Sequence, residues 1–161
     1  MELFNKEHLE SIGKNLKKKK ETIAIAESVT SGLLQFAFST IFEAAKFFQG
    51  GITAYNIGQK VRQLHIEPIH AQEVNCVSDK VSTEMALDVA REFTSDWAIA
   101  ITGYATPVPE SGNKIFAYYA IAYKGQIKDS GKISLPKSDP TEIQVEYVNK
   151  IIEKFSTLIW Q

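Results

Sequence analysis

The sequence Ala-Glu-Ser-Val-Thr-Ser-Gly at residues 26–32 joins an apolar run to a helical pattern. The run that it ends, Thr22 to Ala26, is short and apolar, which is typical of a strand buried on both faces. Small, hydroxyl-bearing residues after such a strand are typical of the turns that carry catalytic or ligand-binding residues in α/β proteins. We expect this turn to expose the Ser28 hydroxyl at a sheet edge and to direct free N–H groups at a bound anion or a developing oxyanion.

Helical and strand patterns alternate on both sides of this turn. The strands are expected at residues 22–26, 50–55, 97–101, 115–123 and 127–135, and the longer helices are expected to start near Asn5, Thr30, Ser78 or Asp79, and Asp139. The last two strands are joined by a tight turn and should pair antiparallel. The pattern predicts an α/β fold in which residues 1–161 form a single-domain, three-layer α/β/α sandwich with a mixed, mainly parallel sheet.

Two of these helices carry specific signals. The helix from Thr30 to about Phe42 has an apolar stripe that Phe36 and Phe42 widen, so we expect it to be well buried. The last helix has Asp139 as its cap, Pro140 at its first position and Glu142 where a capping box requires an acid.

A glycine pair opens the second strand and indicates a position that needs backbone freedom or close approach.

Composition excludes several classes of function. The chain has 161 residues, 44% of them apolar, and a formal charge of −1, which fits one globular domain and provides no broad basic face for nucleic acid. Its single cysteine, Cys76, excludes an internal disulfide framework and a cysteine-rich zinc site. His65 and His70 are five residues apart, a poor spacing for two metal ligands on one helical face. We expect a cytoplasmic protein that binds no metal and does not enter a membrane.

Four blocks of this sequence resemble, in order and spacing, the CinA C-terminal domain family. They are AESVTSG at 26–32, GGITAYNIGQKVRQLHI at 50–66, VSDKVSTEMA at 77–86 and ITGYATP at 101–107. The resemblance spans roughly residues 5 to 160, and the combination of blocks is much more specific than any single block. The family includes the nicotinamide mononucleotide amidohydrolases, so the resemblance implies the same fold and, as an expectation, the same chemistry.

The resemblance implies that Ser28 is a nucleophile assisted by Tyr55 and Lys60. A serine hydroxyl is a weak nucleophile until a base takes its proton, and Lys60 can be that base if burial or a nearby cation lowers its pKa. Tyr55 would relay a proton or orient the hydroxyl. Ser28 would attack the carboxamide of nicotinamide mononucleotide or a related pyridine nucleotide, releasing ammonia, with no metal or organic cofactor. Considered alone, however, Ser28 is also compatible with an ordinary helix cap.

The predicted substrate-binding residues come from both strand-to-loop junctions: Glu27, Thr30, Ser31 and Gly32 from the first, and Thr102 and Gly103 from the second. Backbone N–H groups of the first turn would hold either the oxyanion or the substrate phosphate. The role of Glu27 is open between two alternatives. It either positions a ligand hydroxyl or a catalytic lysine, or it pairs with a cation or caps a backbone group.

Departures from the family's usual pattern support a second hypothesis. The enzymes usually have Cys-Thr-Gly-Gly after the serine and a glycine in the second loop, whereas this chain has Val29, Ser31 and Thr106 at altered positions. A lost glycine narrows backbone freedom. The alternative function is a catalytically silent module that binds a nucleotide or a protein partner. Under either hypothesis the resemblance implies a homo-oligomer, and the phenylalanines between residues 36 and 48 offer apolar surface for one.

Overall fold

The structure, a computed structural model, describes residues 1–161 and contains six α-helices and five β-strands. In chain order these are α1 (Lys6–Lys19), β1 (Ile23–Glu27), α2 (Leu33–Ser39), β2 (Phe48–Thr53), α3 (Ile57–Leu64), α4 (Pro68–Glu73), α5 (Asp79–Glu92), β3 (Trp97–Gly103), β4 (Ile115–Tyr123), β5 (Gln126–Leu135) and α6 (Pro140–Leu158). Short 3-10 helices cover Ala44–Lys46 and Pro109–Ser111. The predicted alternation of helices and strands is confirmed.

All five strands form one sheet in the order β2-β1-β3-β4-β5. Strand β1 pairs parallel with β2 and with β3, so that Ile25 lies opposite Gly51 on one side and Ile99 on the other. Strand β4 is antiparallel to both β3 and β5. Four of the five strands therefore point in the same direction, and the predicted mixed, mainly parallel sheet is confirmed.

The two faces of the sheet carry different side chains. Ile23, Ile25 and Ile99 belong to a core cluster that also contains buried residues of α1, α2 and α6. Ala24, Ala26 and other strand alanines belong to a second cluster with buried residues of α3, α4 and α5. Alternating isoleucine and alanine along a strand separates these two clusters, because successive side chains point to opposite faces. The helices thus form two layers around the sheet, as predicted.

The glycine pair in β2 is required by the sheet. The pairing of β1 with β2 shifts by one residue next to Gly50, whose φ of 112° is strained for residues with a side chain. A Cβ on Gly51 would lie 2.2 Å from the carbonyl oxygen of Ile25. Gly50 therefore provides backbone freedom and Gly51 provides close approach, which confirms the expectation for this pair.

Helix α2 is shorter than the sequence predicts. Ser31 and Gly32 both have positive φ, of 50° and 96°, so the helix begins only at Leu33. At its other end, the Ser39 and Thr40 hydroxyls each donate to a carbonyl three residues earlier, at 2.6 Å. Such side-chain bonds compete with helical hydrogen bonds.

Two aromatic side chains of the predicted buried stripe are in fact exposed. Phe36 is 53% exposed and Phe42, which lies beyond the end of α2, is 77% exposed. The expectation that both widen a buried stripe is therefore wrong. The homo-oligomer that the resemblance implies stays a prediction.

Most helix starts agree with the sequence. Ser78 is the N-cap of α5 and accepts a hydrogen bond from the Val81 N–H, and Asp139 is the N-cap of α6. The capping box predicted for α6 is wrong, because Glu142 accepts from the Ser138 hydroxyl instead of the backbone of the cap. No helix combines the length and the apolar character that crossing a bilayer requires.

Candidate active site

A cleft of about 640 Å³ lies at the carboxyl ends of β1, β2 and β3. This is the edge where open α/β sheets usually bind ligands, because the loops that follow parallel strands meet there. The lining residues are Ser28, Val29, Tyr55, Asn56, Ile57, Gly58, Lys60, Asn75, Cys76, Val77, Gly103, Tyr104, Ala105, Thr106, Val108 and Glu110. All three predicted catalytic residues, which are up to 32 positions apart in the sequence, are therefore in one cleft.

Ser28 is the first residue after β1. Its N–H donates to the carbonyl of Ile101 at 3.1 Å, and its own carbonyl accepts from the Ser31 N–H at 2.9 Å. These two bonds fix the serine backbone at the junction of β1 and β3. The side-chain bonds of this turn involve Glu27 and Thr30, and the Ser28 hydroxyl makes none. It is thus a free hydroxyl on a fixed backbone.

Lys60 lies on α3 and is buried, with 4% of its surface exposed. It forms no ion pair with any carboxylate. Burial lowers the pKa of Lys60 because the ammonium form loses its hydration, and only a weaker interaction with Cys76 opposes this shift. Lys60 therefore loses its proton at a lower pH than an exposed lysine does.

Tyr55 is placed at the mouth of the cleft by the short connection between β2 and α3. Its side chain is 64% exposed. The next residue, Asn56, is the N-cap of α3 and accepts from the Gln59 N–H at 2.9 Å. This cap fixes the start of the helix that carries Lys60, so the tyrosine and the lysine are positioned by the same connection.

Several backbone N–H groups beside Ser28 have no acceptor within the protein. The Ser31 N–H is bonded to Ser28, whereas those of Val29, Thr30 and Gly32 donate no hydrogen bond. Of these residues, Val29 lines the cleft. Unpaired N–H groups next to a nucleophile are the donors that an oxyanion requires.

Glu27 lies behind the cleft and caps α2. It is fully buried, and its carboxylate accepts from the Thr30 hydroxyl at 2.5 Å, the Leu34 N–H at 3.0 Å and the Gln35 N–H at 2.8 Å. Of the alternatives left open by the sequence, this geometry is that of the backbone cap. Glu27 and Thr30 therefore hold the turn together from the side away from the lining of the cleft.

Only one of the other predicted substrate-binding residues that remain, Gly103, lines the cleft. Gly103 lines the cleft, and a Cβ there would lie 2.4 Å from that of Ala117. Thr102 is buried beneath it and donates to the Cys76 carbonyl at 2.7 Å. Ser31 and Gly32 do not line the cleft, although Ser31 keeps a left-handed backbone where the family usually has glycine. The altered residue therefore retains a conformation that glycine adopts without strain.

Sequence reasoning did not find the far wall of the cleft. Asn75 and Cys76 both have positive φ in the connection between α4 and α5. The Asn75 side chain donates to the Tyr104 hydroxyl at 3.2 Å, and the Tyr147 hydroxyl donates to the Tyr104 carbonyl at 2.8 Å. Tyr104 lies in the block at 101–107, next to the predicted residues Thr102 and Gly103. This position was the one feature of the sequence that could have identified Tyr104 as part of the cleft.

A cluster of potential metal ligands lies outside the cleft. Ligand atoms of His65, Asp88 and Glu92 are within 4.8 Å of one another. Asp88 also forms an ion pair with Arg91 and bonds His65 Nδ1 at 3.0 Å. The positive charge of Arg91 already compensates the one buried carboxylate, so the group is explained as a surface ion-pair network.

Comparisons with a family model and with curated proteins agree on one family. The family model described as the CinA C-terminal domain matches residues 5–159. A CinA-like protein of Rippkaea orientalis is 33% identical over 122 residues, which is 76% of this chain and 29% of that protein. A second CinA-like protein, from a Picosynechococcus species, is 36% identical over 70% of this chain and 27% of its own length. The chain thus spans less than a third of the length of these curated relatives.

Solved structures share the fold. A competence or damage-inducible protein from Enterobacter asburiae superposes with a TM-score of 0.89 at 22% identity, covering 95% of this chain and 96% of that chain. The competence/damage inducible protein CihA from Agrobacterium tumefaciens has a TM-score of 0.87 at 21% identity, over 98% of this chain and 99% of that chain. With the family model matching almost the whole chain, this protein belongs to the CinA C-terminal domain family.

Proposed function

We propose that this protein is a serine amidohydrolase that deamidates nicotinamide mononucleotide or a related pyridine nucleotide, giving the acid and ammonia. Family membership is consistent with a hydrolase. The site adds a free serine hydroxyl, a buried lysine and unpaired backbone N–H groups in or beside one cleft. These are the three components that acyl transfer through a serine requires.

The observation that carries this proposal is the burial of Lys60 without a carboxylate partner. A buried ammonium is costly, so a lysine in this position is normally paired with an acid or has a lowered pKa. Here the pKa is lowered by desolvation. Neutral lysine amines serve as general bases in enzymes for this reason. A lysine with only a structural role would not need to line the same cleft as Ser28.

The proposed reaction has two halves. Ser28 Oγ attacks the carboxamide carbon while the Lys60 amine takes the hydroxyl proton, and the N–H groups of Val29 and its neighbours stabilise the oxyanion. The C–N bond then breaks, and the proton held by Lys60 leaves with ammonia, through Tyr55 or directly. Water attacks the acyl-enzyme, Lys60 takes its proton, and the acid is released with Ser28 restored.

Ammonia release by Ser28→Ala tests the nucleophile. Because the hydroxyl makes no hydrogen bond, its removal should leave the fold unchanged and lower kcat for nicotinamide mononucleotide by at least about a thousandfold. Ser134→Ala, an exposed serine on β5, is the matched control and should keep wild-type activity. Turnover by a folded Ser28→Ala protein contradicts the assignment.

The same preparation tests the alternative function. If calorimetry detects nucleotide binding by the wild-type protein but no ammonia is released, the protein is a non-catalytic binding module. Thr106, which lines the cleft where the family usually has glycine, is the specific feature that favours this alternative. If neither binding nor ammonia is detected, the pyridine-nucleotide assignment fails.

A further inference from the structure

We infer that Asn75 and Tyr104 together bind the ribose hydroxyls of the substrate and set the preference of the cleft for a ribonucleotide. The inference rests on the proposed function for the identity of the substrate. It is carried by how the fold fixes these two side chains and by the hydrogen-bonding groups that they leave free.

Tyr104 is held in the cleft by contacts of both its backbone and its ring. Its N–H donates to the Phe116 carbonyl at 2.9 Å, and its carbonyl accepts from the hydroxyl of the buried Tyr147 at 2.8 Å. Its ring packs edge-to-face on Phe116, with the ring centroids 5.2 Å apart. Because Tyr104 lines the cleft, these contacts present its side chain to a ligand in a fixed position, which lowers the entropy lost on binding.

Asn75 is fixed by the backbone of the connection between α4 and α5. Asn75 and Cys76 have φ of 52° and 58°, in the left-handed region, which asparagine tolerates and cysteine adopts at a cost. The Cys76 N–H donates to the Ala71 carbonyl, and the Cys76 carbonyl accepts from the Thr102 hydroxyl, both at 2.7 Å. These two bonds hold a strained connection in place, and backbone strain of this kind is concentrated at ligand-binding and active sites.

The two side chains leave a free donor next to a free acceptor. The Asn75 amide donates to the Tyr104 hydroxyl oxygen at 3.2 Å, so the hydroxyl proton points away from Asn75. That proton is donated to no group of the protein, and the Asn75 amide oxygen accepts no hydrogen bond. An uncharged donor beside an uncharged acceptor matches two adjacent hydroxyl groups, since each hydroxyl can both donate and accept.

The ribose is the part of the nucleotide that this pair of side chains fits. In the proposed reaction the carboxamide is held at Ser28 and the Val29 N–H, and a phosphate is bound best by cations or by helix N–H groups. The Ser28 N–H donates to the carbonyl of Ile101, three residues before Tyr104, so the pair lies near the reacting carbon. In a pyridine nucleotide the sugar is attached to the ring that carries the carboxamide, and it has two adjacent hydroxyls.

Calorimetry with the Ser28→Ala protein measures sugar recognition without turnover. Nicotinamide mononucleotide should bind about tenfold more tightly than its 2′,3′-dideoxy analogue, because each neutral hydrogen bond contributes a factor of about three. Adding Tyr104→Phe or Asn75→Gly should lower this ratio to about threefold, and both changes together should lower it to about one. Glycine removes the amide and keeps the left-handed backbone of residue 75.

Tyr118→Phe and Asn113→Gly are the matched controls. Tyr118 is a half-buried tyrosine on β4, Asn113 is an exposed asparagine with a φ of 59°, and neither lines the cleft. Both should keep the tenfold ratio, and Tyr104→Phe should leave the affinity for the dideoxy analogue unchanged, which a merely structural role would lower. An unchanged ratio in both Tyr104→Phe and Asn75→Gly, or an equal loss in the controls, overturns the inference.

An ammonia assay of the protein with Ser28 intact separates this inference from the proposed function. If the ribose preference and its loss in the two variants are observed but no ammonia is released, the inference stands and the proposed function alone fails. Ammonia release combined with equal affinity for the two nucleotides overturns the inference and leaves the proposed function in place. No binding of either nucleotide, with no ammonia released, overturns both.

Discussion

Lys60 is the residue on which the proposed chemistry depends most. Its burial on α3 removes hydration from the ammonium, and no carboxylate replaces that hydration. The neutral amine is therefore available at a lower pH than for an exposed lysine. Burial by the fold, and not a neighbouring acid or cation, therefore lowers the pKa of Lys60. Replacing Lys60 with an uncharged side chain of similar length should reveal the effect of the amine.

The pH dependence of activity should report this lysine. We expect kcat/KM for ammonia release to rise with pH along a limb whose midpoint lies below the ordinary lysine pKa of about 10.4, because only the neutral amine can accept the Ser28 proton. Lys60→Met should lower kcat/KM by about 10²- to 10⁴-fold and remove the limb. Initial rates across this pH range measure both effects. Lys14→Met, at an exposed position, is the control, and a limb that survives in Lys60→Met excludes Lys60 as the base.

Individual residues of the site differ in how far the sequence could predict them. Ser28, Tyr55 and Lys60 were predicted and line one cleft, because each stands in a block whose order and spacing resemble a family. Asn75 was not predicted, since it lies in a connection with no motif, although it lines the cleft and donates to the Tyr104 hydroxyl. Such a contact depends on tertiary packing and leaves no local signal.

The start of α2 explains the conformation of the turn that contains Ser28. Gly32 is the N-cap and has no side chain to accept hydrogen bonds from the first turn of the helix. The carboxylate of Glu27, at the end of β1, accepts them instead and also binds the Thr30 hydroxyl. The strand therefore caps the helix that follows it, and the turn between them is held on both sides of Ser28.

Glu27→Gln should destabilise this junction. An amide NH₂ group cannot accept a hydrogen bond, so at least one of the three buried or partly buried donors loses its acceptor, which costs about 1–3 kcal/mol of the free energy of unfolding. Urea denaturation measures this as a lower midpoint. Glu10→Gln, an exposed carboxylate on α1, should change the free energy of unfolding by less than about 0.5 kcal/mol. Unchanged stability of Glu27→Gln combined with lost substrate binding indicates a ligand-binding role instead.

The limits of α2 show why sequence reasoning misses some elements. Strand β4 was predicted with its observed bounds, because a continuous apolar run ending at a turn residue has few alternatives. For α2 the apolar stripe continued to Phe42, but the hydroxyls of Ser39 and Thr40 bond to carbonyls and the helix ends. Hydrophobic periodicity describes which residues can share a face, whereas helix ends depend on local hydrogen bonds.

The parallel half of the sheet brings the residues of the site together. Strands β1, β2 and β3 end at one edge, so Ser28, Tyr55 and Gly103 meet although they come from distant parts of the chain. The strand pattern predicted the mainly parallel sheet, whereas the grouping of these residues in one site was predicted from the family resemblance.

The burial of the Lys60 ammonium should also lower the free energy of unfolding of the protein. The pKa of this lysine is lowered in the folded state, whereas in the unfolded chain it keeps the ordinary value of about 10.4. Between these two values the unfolded state binds more protons, so the contribution of Lys60 to the free energy of unfolding rises with pH. It is least favourable below the folded pKa and levels off above about pH 10.4.

Lys60→Met should therefore raise the free energy of unfolding near neutral pH, because the substitution keeps an apolar stem and removes the buried amine. The gain should shrink as pH rises from the folded pKa of Lys60 to about 10.4, above which the wild-type lysine is mostly neutral in both states. Urea denaturation of both proteins at about pH 7 and about pH 10.5 measures the difference, with Lys14→Met correcting for other groups that titrate at high pH. A gain of equal size at both pH values means that packing, and not the desolvation of the ammonium, causes the change.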